Sequence, residues 1–161
     1  MGKRVLPNVP WITADGFLDT KKIPLEGNFR AALDPNRDRA QDSLRFLQSA
    51  TSSGRTEASI FLMGLLVSLR PDDWDMRSAV VDALRYTHTE RCAVLLFSEI
   101  RRVKSTNTTR RYINTILDVL RLFPEDLTRD EFEALAGDTS FSYKLRQKFR
   151  LLADPECGLY L

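Results

Sequence analysis

Along most of the chain, apolar residues recur three and four positions apart, the period of an amphipathic helix rather than a strand. The punctuation from Asp34 onward is helical too. Asp34-Pro35 reads as an N-cap followed by Pro at the first helical position, where its missing N–H costs nothing. A first helix is expected from there to about Ala50, with Ala40, Leu44 and Leu47 on one face. A second covers about Thr56 to Leu69 after the loop Thr51-Ser52-Ser53-Gly54. It carries no charge between Glu57 and Arg70, which predicts burial on most sides. Pro71-Asp72 opens a third, to about Tyr86. Thr87 and Glu90 have capping-box spacing and open a fourth, about His88 to Val103. The fifth, about Thr108 to Leu122, places Tyr112, Ile113, Ile116, Leu117 and Leu120 on one face, and Pro124 ends it. Thr128 and Glu131 form a second box before a short sixth helix to Ala136, with Gly137 as its stop. The seventh runs from about Phe141 to Ala153. No segment shows strand alternation between hairpin turns, so the class is all-α.

Residues 1–33 are different. Pro7, Pro10 and Pro24 forbid a long helix, and the large apolar groups there (Trp11, Phe17, Leu18 and Phe29 among them) follow no period. The expectation is an irregular arm that docks its aromatics on the body formed by residues 34–161. A short helical turn is expected at Asn28–Leu33.

An internal repeat sharpens the architecture. Asp42-Ser43-Leu44-Arg45, Asp82-Ala83-Leu84-Arg85 and Asp118-Val119-Leu120-Arg121 fall 40 and 36 residues apart, at the same place in alternate helices. That is the period of a stacked helix pair, which cannot bury its apolar stripe alone. The segment Asp75-Met76-Arg77-Ser78-Ala79-Val80-Val81-Asp82-Ala83-Leu84 resembles the second helix of a HEAT or armadillo-type repeat. The resemblance covers about residues 34–153 and weakens in the fifth to seventh helices. It implies a short α-solenoid of about three antiparallel pairs (helices two with three, four with five, six with seven), helix one completing an earlier, partial repeat. A compact helical bundle remains the alternative.

Composition then limits what such a fold does. The chain is 43% hydrophobic and 29% charged, enough for one real core, and its net charge is only +2. Two cysteines, Cys92 and Cys157, cannot build a disulfide framework. The longest apolar run, Ala58–Leu69, is too short for a bilayer, and the basic N-terminus has no apolar stretch behind it, so a cytoplasmic setting without membrane attachment is expected.

No catalytic motif stands out, and no cofactor or metal is expected. His88 and Cys92 are one turn apart, half of a zinc site at most, with only Cys157 left to help. The acids at Asp72-Asp73-Trp74-Asp75 and from Glu125 to Glu133 sit at helix starts, where the dipole favours them. The basic residues are more suggestive. Arg101, Arg102, Lys104, Arg110 and Arg111 flank one turn with no acid among them, and Lys144, Arg146, Lys148 and Arg150 follow on the seventh helix. With the hydroxyls of Thr106, Thr108 and Thr109 they suit phosphate. Seven acids against two arginines between Asp118 and Asp138 offer an intramolecular match for the same charge.

The reading that follows is a non-catalytic module that binds another protein on a concave helical surface. By the resemblance, that surface takes Arg77, Val81 and Arg85 from helix three, Arg45 from helix one, and Arg111, Asn114, Asp118 and Arg121 from helix five. Arg77 also matches the arginines that hydrogen-bond between repeats in that family. The alternative is a nucleic-acid binder that grips the phosphate backbone through Arg101, Arg102, Lys104, Arg110, Arg111, Lys144 and Lys148.

Overall fold

A computed structural model describes residues 9–156. Eight α-helices make up the described chain: α1 (Glu26–Ala32), α2 (Arg37–Ser52), α3 (Thr56–Ser68), α4 (Trp74–Ala83), α5 (Glu90–Arg102), α6 (Arg110–Leu120), α7 (Arg129–Gly137) and α8 (Tyr143–Ala153). A 3-10 turn, Glu125–Leu127, precedes α7, and Ile12 bridges Leu18 in the arm. Each expected helix is present as α2 to α8, and the short turn expected at Asn28–Leu33 is the two-turn helix α1.

The ends differ from expectation for local reasons. Asn36, not Asp34, caps α2, accepting from the N–H groups of Asp38 and Arg39; Asp34 instead accepts from Asn36 N–H at 2.8 Å. Pro35 therefore lies ahead of the cap. Thr89, not Thr87, caps α5 through Cys92 N–H, because Thr87 is buried with its hydroxyl on Ser59. The box at Thr128 does not close: its hydroxyl turns to the Pro124 carbonyl, and Glu131 is taken by Arg101. Asp73 and Ser142 cap α4 and α8.

Consecutive helices pack together, α1 on α2, α3 on α4, α5 on α6 and α7 on α8, and α3 packs on α2 as well. Across pairs, α4 packs against both α2 and α6. One apolar cluster runs through all of them, from Leu25 to Ala153. Three ring contacts join the last helices: Phe97–Phe132 at 5.0 Å, Phe132–Phe149 at 6.4 Å and Phe141–Phe149 at 5.3 Å between centroids. The expectation that α3 is buried on most sides fails. Ala58, Leu62, Leu65 and Leu66 face inward, while Ile60 and Val67 stand 61% and 70% exposed on the opposite face.

The arm docks in part. Leu25 and Ala32 are buried and Phe29 stacks on Phe61 at 4.4 Å, but Phe17 and Leu18 point into solvent. The stretch of the arm ahead of α1 is held by one arginine. At the end of α2, Gly54 takes φ +81°, a conformation that favours glycine, and Arg55 N–H returns to the Ala50 carbonyl, closing a Schellman turn. That turn aims Arg55 at the arm, where its Nη1 donates to the carbonyls of Thr20 and Ile23, both at 2.9 Å. Cys157 and the tail Gly158–Leu161 lie outside the described residues.

Candidate functional site

Polar positions on α2, α4 and α6 recur one and two turns apart: Gln41, Arg45 and Gln48; Asp75, Ser78 and Asp82; Arg111, Thr115 and Asp118. On a helix such spacings share a face. Because α4 lies against both neighbours, these stripes meet, and all of them except Asp118 line one open groove of about 580 Å³ with Arg37, Leu44, Ala79 and Ala83. A second groove, of about 400 Å³, runs between α6 and α8, walled by Asn114, Leu117, Asp118, Arg121, Lys148, Leu151 and Leu152.

The expected partner-binding residues divide accordingly. Arg45 and Arg111 come together in the first groove, and Asn114, Asp118 and Arg121 in the second. Arg85 lies past the end of α4, paired with Asp82, and lines neither. Val81 is fully buried and Arg77 is 3% exposed, so neither is on any surface; both leave the set. Of the repeated Asp-x-x-Arg positions, Asp42–Arg45 and Asp82–Arg85 form ion pairs, and Asp118–Arg121 forms none among the described residues. The groove also takes in residues outside the expected set: the uncharged Gln41, Gln48, Ser78 and Thr115, which only helical spacing marks, and the charged Arg37, Asp75 and Asp82.

Arg77 has a structural task. Its Nη2 donates to Glu99 Oε2 at 2.7 Å, and its Nη1 to the carbonyls of Leu69 (3.1 Å) and Arg70 (3.3 Å) beyond α3. Tyr112 Oη donates to the same Glu99 oxygen at 2.6 Å, and Arg102 Nε to Oε1 at 3.0 Å. The Arg77 guanidinium also lies over the Tyr112 ring, 5.9 Å from its centroid. This cluster ties α4, α5 and α6 together at the depth of the core. Burial pushes the Glu99 carboxyl up, but the hydrogen bonds from Arg102, Tyr112 and Arg77 outweigh it and hold the group down at about 2. Burial, with the Glu99 bond, pushes the Tyr112 hydroxyl up.

The expected phosphate-binding set is dispersed for the same reason. Arg101 is paired with Glu131 on α7, one of the acids expected to match this charge, and Arg102 with Glu99 of its own helix. Thr109 is buried, its hydroxyl donating to the Lys104 carbonyl at 2.6 Å while accepting from Thr106 N–H at 2.9 Å; these hydroxyls brace the turn rather than face a ligand. Lys104 is exposed and Arg111 belongs to the first groove. Arg110, Lys144 and Lys148, however, come together around a small pocket between the α5–α6 turn and α8.

The remaining chemistry is modest. Cys92 is buried, and burial pushes its thiol up to about 12, so it is neutral and shielded from attack. His88 hydrogen-bonds the Arg85 carbonyl at 3.0 Å and packs on Phe123. No group of three His, Cys, Asp or Glu gathers among the described residues, and no helix there is long and apolar enough to cross a membrane.

Compared with protein-family models, with curated proteins and with solved structures, the chain finds no match.

Proposed function

We propose that this chain is a non-catalytic interaction module, a short HEAT-like solenoid whose α2, α4 and α6 present a wall to an extended segment of a partner protein. The observation that carries the reading is that Arg45, Asp82 and Arg111, from three different helices, line one groove. Gln41, Gln48, Ser78 and Thr115 add donors and acceptors of the kind that satisfy a peptide backbone, and the charges of both signs suit mixed side chains. The pairing of α1 with α2 supports a solenoid that begins one helix earlier than the repeat pattern alone implies. A groove fixed by packed helices loses little entropy on binding, so a few arginine anchors suffice for affinity.

Charge reversal tests this. Proteins that cross-link to the wild-type chain in an extract of its native cell, and are lost from the R45E/R111E variant while melting temperature is unchanged, support the groove. Equal capture by both overturns it. A backbone-binding role toward nucleic acid keeps Arg110, Lys144 and Lys148. Oligonucleotide binding that falls steeply with salt and weakens in R110A would favour that role over the protein partner.

A further inference from the structure

The pocket between the α5–α6 turn and the start of α8 holds about 150 Å³, room for about five waters or one tetrahedral oxyanion with its bridging atom. Its polar lining is Ser105, Arg110, Asn114, Ser142, Lys144 and Lys148, with no carboxylate among them. Ile113 and Leu145 form the apolar remainder. The three cations make no ion pair among the described residues, whereas Arg101 pairs with Glu131 and Arg102 with Glu99. Lys148 Nζ is held in place by Asn114 Oδ1 at 2.9 Å, and Arg110 by Asn107 Oδ1 at 3.0 Å; both acceptors are neutral and leave the positive charge uncompensated. Ser142 caps the 11-residue helix α8 by accepting the Leu145 N–H, and Lys144 lies in the same first turn. Cations, two of them held by neutral amides, and serine hydroxyls lining a space this size are suited to an oxyanion.

We propose that this pocket binds one phosphate group, presented by a phosphorylated side chain of the partner protein; the second part of that statement rests on the protein-binding reading above. Two features favour a phosphoprotein over a nucleic-acid strand. No aromatic ring lines the pocket or the adjoining α6–α8 groove, so a base has nothing to stack on. That groove shares Asn114 and Lys148 with the pocket, then continues over Leu117, Leu151 and Leu152 past Asp118 and Arg121. An apolar floor flanked by one further charge of each sign suits a peptide segment of mixed side chains better than a run of phosphates.

The test is an amide NMR titration of the full chain with O-phosphoserine, with serine, and with a short single-stranded oligonucleotide, at constant ionic strength. Saturable shifts at Tyr143, Lys144 and Leu145 with phosphoserine but not serine are expected. Binding should weaken about ten- to a hundredfold in K144E and in R110E, and survive in R101E, where the altered cation is one that Glu131 already neutralises. Shifts no larger than those of serine, or equal loss in all three variants, overturn the site. Oligonucleotide binding tighter than phosphoserine, through the same amides, overturns the assignment to a phosphoprotein. R45E/R111E separates the two readings: it should abolish capture of partners by the first groove and leave the phosphoserine shifts intact.

Discussion

Where α4, α5 and α6 meet, the contact is built on charge; where α5, α7 and α8 meet, it is built on rings. The first joint is Glu99 with Arg77, Arg102 and Tyr112. The second is Phe97, Phe132, Phe149 and Phe141. Both lie in the core and both join helices from different pairs. They differ in what happens when one member is removed. A ring leaves a cavity, whose cost the surroundings reduce by relaxing. A carboxylate leaves the buried Arg77 guanidinium with no counter-charge, a penalty that relaxation cannot remove. The ionic joint also carries direction. Arg77 must reach Glu99 and two carbonyls beyond α3 at once, which sets how α4 sits against α5 and α6, and therefore the angle at which the groove residues of α4 and α6 meet.

The largest expected effects are Glu99→Ala and Phe132→Ala, each costing about 3–5 kcal/mol in a denaturant melt at pH 7. Acid separates them. The Glu99 carboxyl is held below its ordinary value of 4.5, at about 2. The stability it contributes, on the order of a few kcal/mol, is therefore complete above about pH 4.5 and lost as pH falls from there toward 2. The gap between wild type and Glu99→Gln should narrow over that window, while the gap between wild type and Phe132→Ala should stay constant. A Glu99→Gln gap that does not change with pH would mean that the carboxylate is not charged in the folded protein.

Tyr112→Phe comes next. It deletes one hydrogen bond to a charged acceptor and keeps the ring against Trp74, for a cost of about 1.5–3 kcal/mol. With one donor fewer, Glu99 should titrate higher, so acid unfolding of this variant should begin at higher pH than in wild type. Equal acid midpoints would remove Tyr112 from the ionic joint.

A third contact sharpens the contrast because it is ionic only on one side. Arg55 holds the arm through two neutral carbonyls. Arg55→Ala should cost about 1–3 kcal/mol if the arm is cooperative with the body, and less if only the arm loosens. Amide exchange distinguishes these: faster exchange confined to the residues before Leu25 marks a local latch, and acceleration in α2 and α3 marks a shared unit. No change in either region would leave Arg55 without a role in holding the arm.

The two joints were not equally legible in the sequence. Helix periodicity located every element from α2 to α8, because amphipathic spacing is a local property. The ring joint follows from it, since Phe97, Phe132 and Phe149 sit on apolar faces. The ionic joint does not. Arg77 and Glu99 are 22 residues apart, and no spacing rule couples them. The resemblance marks Arg77 as a hydrogen-bonding arginine, but nothing in the sequence names its partners, Glu99 on α5 and the Tyr112 ring on α6. The phosphate-binding set divides in a similar way: Arg101 is neutralised by Glu131 across the fold and Arg102 by Glu99 one turn back on its own helix, while Arg110, Lys144 and Lys148 are brought together by a fold that joins positions more than 30 residues apart. Val81 was misplaced because a repeat register says which helix lines a wall but not which of its faces does.

The smallest effect tests α5, the one helix that belongs to both joints, at its N-terminal end. Thr89 accepts the Cys92 N–H at 3.3 Å, the only side-chain bond to an otherwise orphaned first turn among the described residues. Thr89→Ala should cost about 1 kcal/mol, whereas Thr89→Ser keeps the acceptor and should cost less. Both joints lie further along the helix, at Phe97 and Glu99, so the loss should appear as fraying of the first turn rather than as failure of either contact. Cys92 reports on that turn, because its thiol reacts only when the helix start opens: buried, it is neutral with its pKa pushed up to about 12. In a Cys157→Ser background, thiol labelling at neutral pH should be slow in wild type, about fivefold faster in Thr89→Ala, and little changed in Thr89→Ser, the ratio following from about 1 kcal/mol of local stability. Acceleration of the same size in Tyr112→Phe would mean that the cap and the ionic joint open as one unit, and the fraying would then be global unfolding seen from one end.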